Sequence, residues 1–348
     1  MAKAGIITFL HNDNFGSSLQ AYALQKTMRD LGFECVHLDY QPDRNEKIRN
    51  LLASGNNLKL VLEGIRKKQV KAGQAGAQRK SRAIPAFYEK YMQLSPRCRN
   101  RKELKEHSRD CDLLLCGSDQ IWNPVWLNEA YFLTFADEKT PRIAYAASLG
   151  VIRMPKASKA RKIRKWTEGF RAISVREKEG AALLKQMTGK KADVMPDPVC
   201  LLSKEEWNEV AGKASAGAPY MLCYFIGENP EYWRRVRELQ DETGLQVLVM
   251  PVNADSFSCG YELLDGAGPA EFLAAVRDAA CFCTDSFHGL VFGTIFETRT
   301  ELIRRYREED PESKNSRVDH FRRLIKEKGM DELRTMGREW LREQCSTQ

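Results

Sequence analysis

The sequence predicts an α/β protein of two Rossmann-like, parallel-sheet domains. Three observations predict it. Short apolar runs alternate with helix-length segments along most of the 348 residues, the pattern that βαβ units leave in a sequence. The opening is itself such a unit: AGIITF over 4–9, a helix-length segment over 17–31, and ECVHLDY over 34–40. Parallel strands need a crossover of that kind. A turn-rich stretch, GKASAGAP over 212–219, then separates a second α/β series from the first.

The elements follow in order. In 17–31 the residues Leu19, Tyr22, Ala23, Leu24, Met28 and Leu31 give an apolar face, with Ser17 as the expected N-cap and Gly32 as the stop. Residues 43–110 are polar, basic and helical in tendency, with Gly-rich slack at 72–76, and read as an insertion. Strands resume at CDLLLC (111–116), RIAYAA (142–147), RAISV (171–175) and ADVM (192–195), with helices expected over 157–168 and 176–187. The second series holds a helix near 203–212, YMLCYFI (220–226), a helix over 230–243 and QVLVM (246–250). A helix over 269–278, CFCTD (281–285) and an almost wholly apolar helix over 287–296 complete it. The predicted organisation is a first domain over 1–202 carrying the insertion at 43–110, a second over 203–315, and a charged helical tail over 316–348.

Composition narrows the class. Hydrophobic residues make up 43% and charged residues 29%, which is ordinary for a globular protein. MAKAGIITFL breaks at HNDNFG too soon for the apolar core of a signal peptide, and no run of about 18 apolar residues predicts a membrane span. The ten cysteines include no CxxC pair and no Cys/His spacing suited to zinc, so reduced, buried thiols and no metal site are expected. These features predict a cytoplasmic protein.

The net charge of +8 is unevenly spread. Residues 43–110 hold 18 Lys and Arg against 7 Asp and Glu, a local +11, whereas the rest holds 37 against 40. A solvated helical face would explain this. So would a patch for anionic lipid headgroups, which predicts peripheral contact with the inner face of a membrane. No helix-turn-helix, zinc-finger or ribonucleoprotein signature accompanies the charge, so nucleic acid is not expected as a partner.

In open parallel sheets, ligands bind beyond the carboxyl ends of the strands, where loops lead into helix N-termini that favour anions. Four polar clusters fall at such places. His11–Ser18, with Asn14, Gly16 and Ser17, is a small-residue turn suited to a phosphate or sugar, or simply to capping a helix. Gly117–Pro124 follows a strand directly. Within it Asp119 is suited to orienting a hydroxyl or acting as a base, and Gln120, Trp122 and Asn123 to holding an acceptor; an Asx-type turn is the alternative. In Ser174–Glu177, Arg176 opens an expected helix, against the macrodipole. That placement suits a carboxylate or phosphate ligand, or an ion pair with Glu177 or Glu179. In Thr284–Gly289, Ser286 and His288 stand at the mouth of a buried helix, beside a glycine that permits close approach. A histidine there suits proton transfer near neutral pH.

Together these clusters resemble the polysaccharide pyruvyl transferase family. The matching stretches are NDNFGSSLQAYALQ, DLLLCGSDQIWNP, RIAYAASLG, AISVREKEG, DPVCLL, TDSFHGLVFGTIF and KNSRVDHF, in the family's order. The resemblance implies a fold similar to the two-domain GT-B glycosyltransferases and a single cleft for the site. It implies phosphoenolpyruvate as donor, with no other cofactor, and a sugar acceptor, on a lipid carrier facing the cytoplasm, of a surface or exported polysaccharide. The product would be a cyclic pyruvate ketal. In that reading His288 is the general acid, aided by Asp119, and Arg176 and Arg317 hold the donor's anionic groups. Members of the family often place an Arg two residues before the His; here that position is Ser286. Two other readings stay open: a GT-B-type glycosyltransferase using a nucleotide-sugar, and a non-catalytic sugar-binding protein.

Overall fold

A computed structural model describes residues 1–12, 14–54, 75–212, 219–305 and 315–346, giving the backbone alone at 75–82 and 315–316. The Gly-rich 72–74, most of the GKASAGAP turn and the middle of the basic insertion, 55–74, lie outside the described residues. The chain forms two compact units. Counted over their described residues, the first comprises Met1–Glu63, Tyr88–Leu201 and Arg323–Gln348, and the second Gly64–Phe87 and Leu202–Arg322.

The first unit runs β1 (Lys3–Ile7), α1 (Phe15–Asp30), β2 (Glu34–His37), α2 (Arg44–Ser54), the end of α3 (Ala75–Tyr91), α4 (Arg101–His107), β3 (Leu113–Cys116), β4 (Arg142–Ala147), α5 (Ala157–Thr167), β5 (Ala172–Val175), α6 (Lys178–Thr188) and β6 (Asp193–Val194). Its six strands are all parallel and ordered β2-β1-β3-β4-β5-β6. Side chains alternate between two apolar layers, as the two-residue period of a strand requires. Ala4, Ile6, Leu113, Leu115, Ile143 and Tyr145 enter one layer. Ile7, Leu114, Cys116, Ala144 and Ala147 enter the other. A sheet covered on both faces explains why its strands read as continuous apolar runs.

The second unit runs α7 (Lys204–Val210), β7 (Tyr220–Tyr224), α8 (Glu231–Thr243), β8 (Gln246–Val249), α9 (Ala254–Phe257), β9 (Glu262–Leu263), α10 (Pro269–Asp278), β10 (Cys281–Thr284), α11 (Phe287–Ile295) and β11 (Thr300–Leu302). Its five strands are also parallel, ordered β11-β10-β7-β8-β9. The last helix, α12 (Asn315–Cys345), is broken at Gly329, where φ is 75°. Its C-terminal part places Trp340, Leu341 and Cys345 in a core layer of the first unit.

Each sheet reverses its strand order once, between β1 and β3 in the first unit and between β7 and β10 in the second. Loops diverge at such a switch point and leave a crevice beyond the strand ends. All ten cysteines are free and only Cys259 is partly exposed. Burial pushes the thiols of Cys98 and Cys111 up to about 11. Among the described residues no helix is long and apolar enough to cross a membrane.

Candidate functional sites at the two switch points

In the first unit, β1 ends in a loop that α1 picks up at Phe15. The helix is capped by Asn14, whose side chain accepts the Gly16 N–H at 3.0 Å; Ser17, the expected cap, lies inside the first turn. That frees the Ser17 hydroxyl, which donates to Asp119 Oδ2 at 2.6 Å. The other Asp119 oxygen accepts the Gln120 N–H at 2.8 Å. Gln20 locks the two loops together. Its amide donates to Thr8 Oγ1 and the Ser17 carbonyl, and its carbonyl accepts the Ser118 N–H. The glycine of GSDQ is dictated by space and conformation. Gly117 has φ 121°, and a Cβ there would stand 2.1 Å from the Tyr145 carbonyl oxygen, so a side chain is excluded on both counts.

A chain of polar contacts continues inward. The Asp119 carbonyl accepts the Ser148 N–H at 2.9 Å, and the Ser148 hydroxyl donates to Glu177 at 2.8 Å. Arg176 donates to Glu177 at 3.2 Å and to Asp197 at 2.5 Å. Asp197 also accepts the Ser118 hydroxyl at 3.3 Å. Arg176 is buried; desolvation disfavours its charge, but Glu177, Asp197 and Asp119 outweigh that and raise its pKa further. One buried cation thus faces three carboxylates. The reason for an arginine just before α6 is therefore these partners. The helix itself starts at Lys178 behind Glu177, two residues later than the sequence suggests. As the group stands, an incoming donor anion would have to displace a carboxylate.

Trp122 and Asn123, expected to hold an acceptor, are internal. Trp122 is fully buried, stacked on Phe132 at 4.8 Å, with its N–H on the Tyr131 carbonyl; the ring has no face left for a sugar. Asn123 caps the 3₁₀ turn Pro124–Trp126 by accepting the Val125 N–H. Gln120 stays partly exposed, and Trp126 beyond it is 43% exposed.

The same strand ends hold a pair that motif reading overlooked. His11 Nε2 lies 2.5 Å from Asp39 Oδ1, with the two side chains 28% and 12% exposed. Gln41 donates to both Asp39 oxygens at 3.0 Å. Burial works to raise the Asp39 pKa, but the bonds from His11 and Gln41 prevail and hold it below the ordinary value. A carboxylate can only accept, so His11 Nε2 is the donor in this pair. His11 takes φ 56°, a left-handed conformation uncommon outside glycine. The available signal was topological: β1 and β2 are parallel neighbours, so their following loops share one edge.

In the second unit, Ser286 caps α11 by accepting the Gly289 N–H at 3.2 Å, and His288 is buried in the first turn. Asp285, also overlooked in the sequence, is the hub there. It accepts from the Ile226 and Gly227 N–H groups, the Tyr232 hydroxyl and Arg305, at 2.7–2.8 Å. Arg317 lies on α12 one turn before Phe321, whose ring meets Phe287 edge-on at 5.9 Å. Residues four apart share a helix face, so Arg317 is on the side of α12 that meets the start of α11. No three His, Cys, Asp or Glu side chains are grouped to hold a metal ion among the described residues.

Comparison with known proteins follows the same outline. None of the curated proteins matches this sequence. Among solved structures, the chain is similar to the UDP-N-acetylglucosamine 2-epimerase from Rickettsia bellii, with TM-score 0.53 and 8% identity over 98% of this chain and 95% of that one. It is similar also to UDP-GlcNAc 2-epimerase from Neisseria meningitidis bound to UDP-GlcNAc, with TM-score 0.49 and 9% identity over 99% of each. At such identities the likeness concerns the fold alone, and of these two only the first is close enough to support it. The expected fold class, two parallel-sheet α/β domains of the GT-B type, is the observed one. A family model described as polysaccharide pyruvyl transferase matches residues 14–300. The matched stretch covers well over half of the chain, from the start of α1 to β11, and the protein belongs to the polysaccharide pyruvyl transferase family.

Proposed function

We propose that this protein moves the pyruvyl unit of phosphoenolpyruvate onto two hydroxyls of one sugar of a surface or exported polysaccharide, with no further cofactor. Family membership supports the reaction class. The observation that carries the reading is His288 in the first turn of α11, with Arg317 on the neighbouring face of α12. The free N–H groups and dipole of a helix start favour a phosphate. A histidine in that turn is placed to protonate the donor's methylene carbon.

Protonation makes the donor's C2 electrophilic. One sugar hydroxyl adds there, its proton passing to a base, and inorganic phosphate leaves. A second hydroxyl of the same sugar then adds to close the ketal, releasing the last proton. His11, its ring held by Asp39, supplies the base. Asp119 orients an acceptor hydroxyl in the place now taken by Ser17. Arg176 ties Glu177 and Asp197 together and so braces the loop carrying Asp119; the donor's anionic groups fall to Arg317 and the α11 terminus instead. The acceptor is lipid-linked and presented at the cytoplasmic face of a membrane.

The test separates binding from turnover. Arg317→Ala should weaken phosphoenolpyruvate binding by roughly 10- to 150-fold, the 1.5–3 kcal/mol of a charge-assisted contact. His288→Asn should leave binding nearly intact and slow phosphate release by about 100- to 10,000-fold. Retained turnover in His288→Asn removes the histidine from the mechanism. Binding of a nucleotide-sugar without binding of phosphoenolpyruvate moves the protein to the glycosyltransferase reading.

A further inference from the structure

Helix α2 is built inside out. Its buried positions are polar: Glu46 is 5% and Ser54 3% exposed, and half-buried Asn50 donates to the Tyr40 hydroxyl at 2.9 Å. Its outward positions are apolar: Ile48 is 47% exposed and Leu52 73%. These two are four residues apart and so form one stripe. A helix in water ordinarily does the reverse.

The stripe continues beyond the helix. Helix α2 packs against the 3₁₀ turn Pro124–Trp126, which exposes Val125 and Trp126. The link from Gly150 to α5 exposes Ile152 and Met154. Gly150 sits against Gln120 and Asn123, at the foot of that turn. Helix α5 ties the pieces together, because Lys159 donates to the Pro124 carbonyl at 2.5 Å and Lys162 to the Ala53 carbonyl. Among the described residues, only Met1 adds to these as an exposed large apolar side chain.

Charge surrounds them with one sign. Lys47 and Arg49 flank the α2 stripe, and Arg153 and Lys156 flank Ile152 and Met154, all exposed. The carboxylates of this region point inward: Glu46 and Glu129 both pair with Arg101. Lys159 has its pKa lowered by desolvation and then by its neighbours Lys156 and Lys162, the mark of cations crowded together.

We propose that α2, the Pro124–Trp126 turn and the start of α5 form a docking surface for an anionic lipid bilayer. Protruding aliphatic side chains with a tryptophan at their centre suit insertion at the headgroup boundary, and the cationic rim suits acidic headgroups. A second copy of the chain fits poorly, since a two-fold contact would set this positive patch against itself. A nucleic acid would use the cations but needs aromatic side chains for its bases to stack on, and the patch offers Trp126 alone against five aliphatic side chains. The proposal does not depend on the donor or the reaction.

The experiment is co-sedimentation of the full chain with vesicles of phosphatidylglycerol and phosphatidylcholine in equal parts, and of phosphatidylcholine alone. Binding to the acidic vesicles only is expected, falling with added salt. The Leu52→Ser/Trp126→Ser variant should bind acidic vesicles about ten-fold or more weakly. Lys47→Glu/Lys156→Glu should lose most of the salt-sensitive part. All four sites are exposed, and circular dichroism of each variant checks that the fold is kept. Equal binding to both vesicles, no binding, or binding unaltered in the Leu52/Trp126 variant overturns the proposal. So does a lipid-free dimer in analytical ultracentrifugation that the same variant dissociates, which would make the surface an interface between copies.

Discussion

Asp119 and Asp285 occupy equivalent places in the two units. Each follows the strand flanking the first strand of its sheet, β3 beside β1 and β10 beside β7, and they are almost equally buried, at 6% and 7%. Their partners differ. Asp285 holds two backbone N–H groups of the opposite loop, a tyrosine hydroxyl and an arginine. Two of these donors are backbone groups fixed by their loop and cannot swing away. Asp119 holds the N–H of its own next residue and one serine hydroxyl, and a hydroxyl can rotate away. We propose that one carboxylate is a strut and the other, with its exchangeable partner, a seat for a ligand; depth of burial does not tell them apart.

The largest effect should come from breaking the strut. Asp285→Ala takes the shared acceptor from Arg305, the Tyr232 hydroxyl and two backbone N–H groups, and removing the buried partner of an ion pair costs about 3–5 kcal/mol. Urea unfolding measures it. Asp119→Ala should cost only about 1.5–3 kcal/mol while stopping turnover. Equal losses of stability would erase the distinction between the two aspartates.

Acid should act next, and through the first unit. His37 on β2 is wholly buried with Nε2 on the Ala21 carbonyl at 2.9 Å, and desolvation lowers its pKa from 6.5 to about 4. Between those values the unfolded chain binds a proton that the folded one refuses. Stability from this residue is therefore complete above about pH 6.5 and falls as pH drops toward 4, by about 3 kcal/mol in all. Urea midpoints measured from pH 7 to pH 4 should show the slope, and His37→Asn should flatten it. An unchanged slope in that variant would assign the acid sensitivity elsewhere.

The contrast between the units also shows what a sequence can and cannot disclose. Strands such as LLLC and CFCT were legible because a parallel sheet covered on both faces demands unbroken apolar runs. So was the placing of GSDQIWNP and TDSFHG after strand ends. What escaped were distant partners. Nothing near Arg176 in the chain announces Asp197, which meets it from 21 residues on. The aromatic of GSDQIWNP invites a sugar, yet Phe132 claims it. In HNDNFGSS several residues could cap α1; the extended backbone of Asn14, φ −104° and ψ 112°, decides among them. The His11–Asp39 pair required knowing that β1 and β2 adjoin.

The smallest effect is the most discriminating, because its sign matters. Ser17→Ala removes the hydroxyl that now occupies Asp119 Oδ2. Stability should fall by only about 0.5–1.5 kcal/mol, the net worth of one hydrogen bond. If Asp119 is a seat, Ser17 competes with the acceptor hydroxyl for that oxygen. Its removal should then lower the acceptor KM by about two- to ten-fold, the same free energy read as an affinity. If Asp119 is a strut like Asp285, Ser17 helps to hold it in place, and KM should rise as stability falls. The companion variant Tyr232→Phe, which takes one donor from Asp285, should lower stability and leave the acceptor KM no better. Opposite movement of KM in the two variants, against the same direction of stability change, is the result that separates a carboxylate awaiting a ligand from one that holds two loops together.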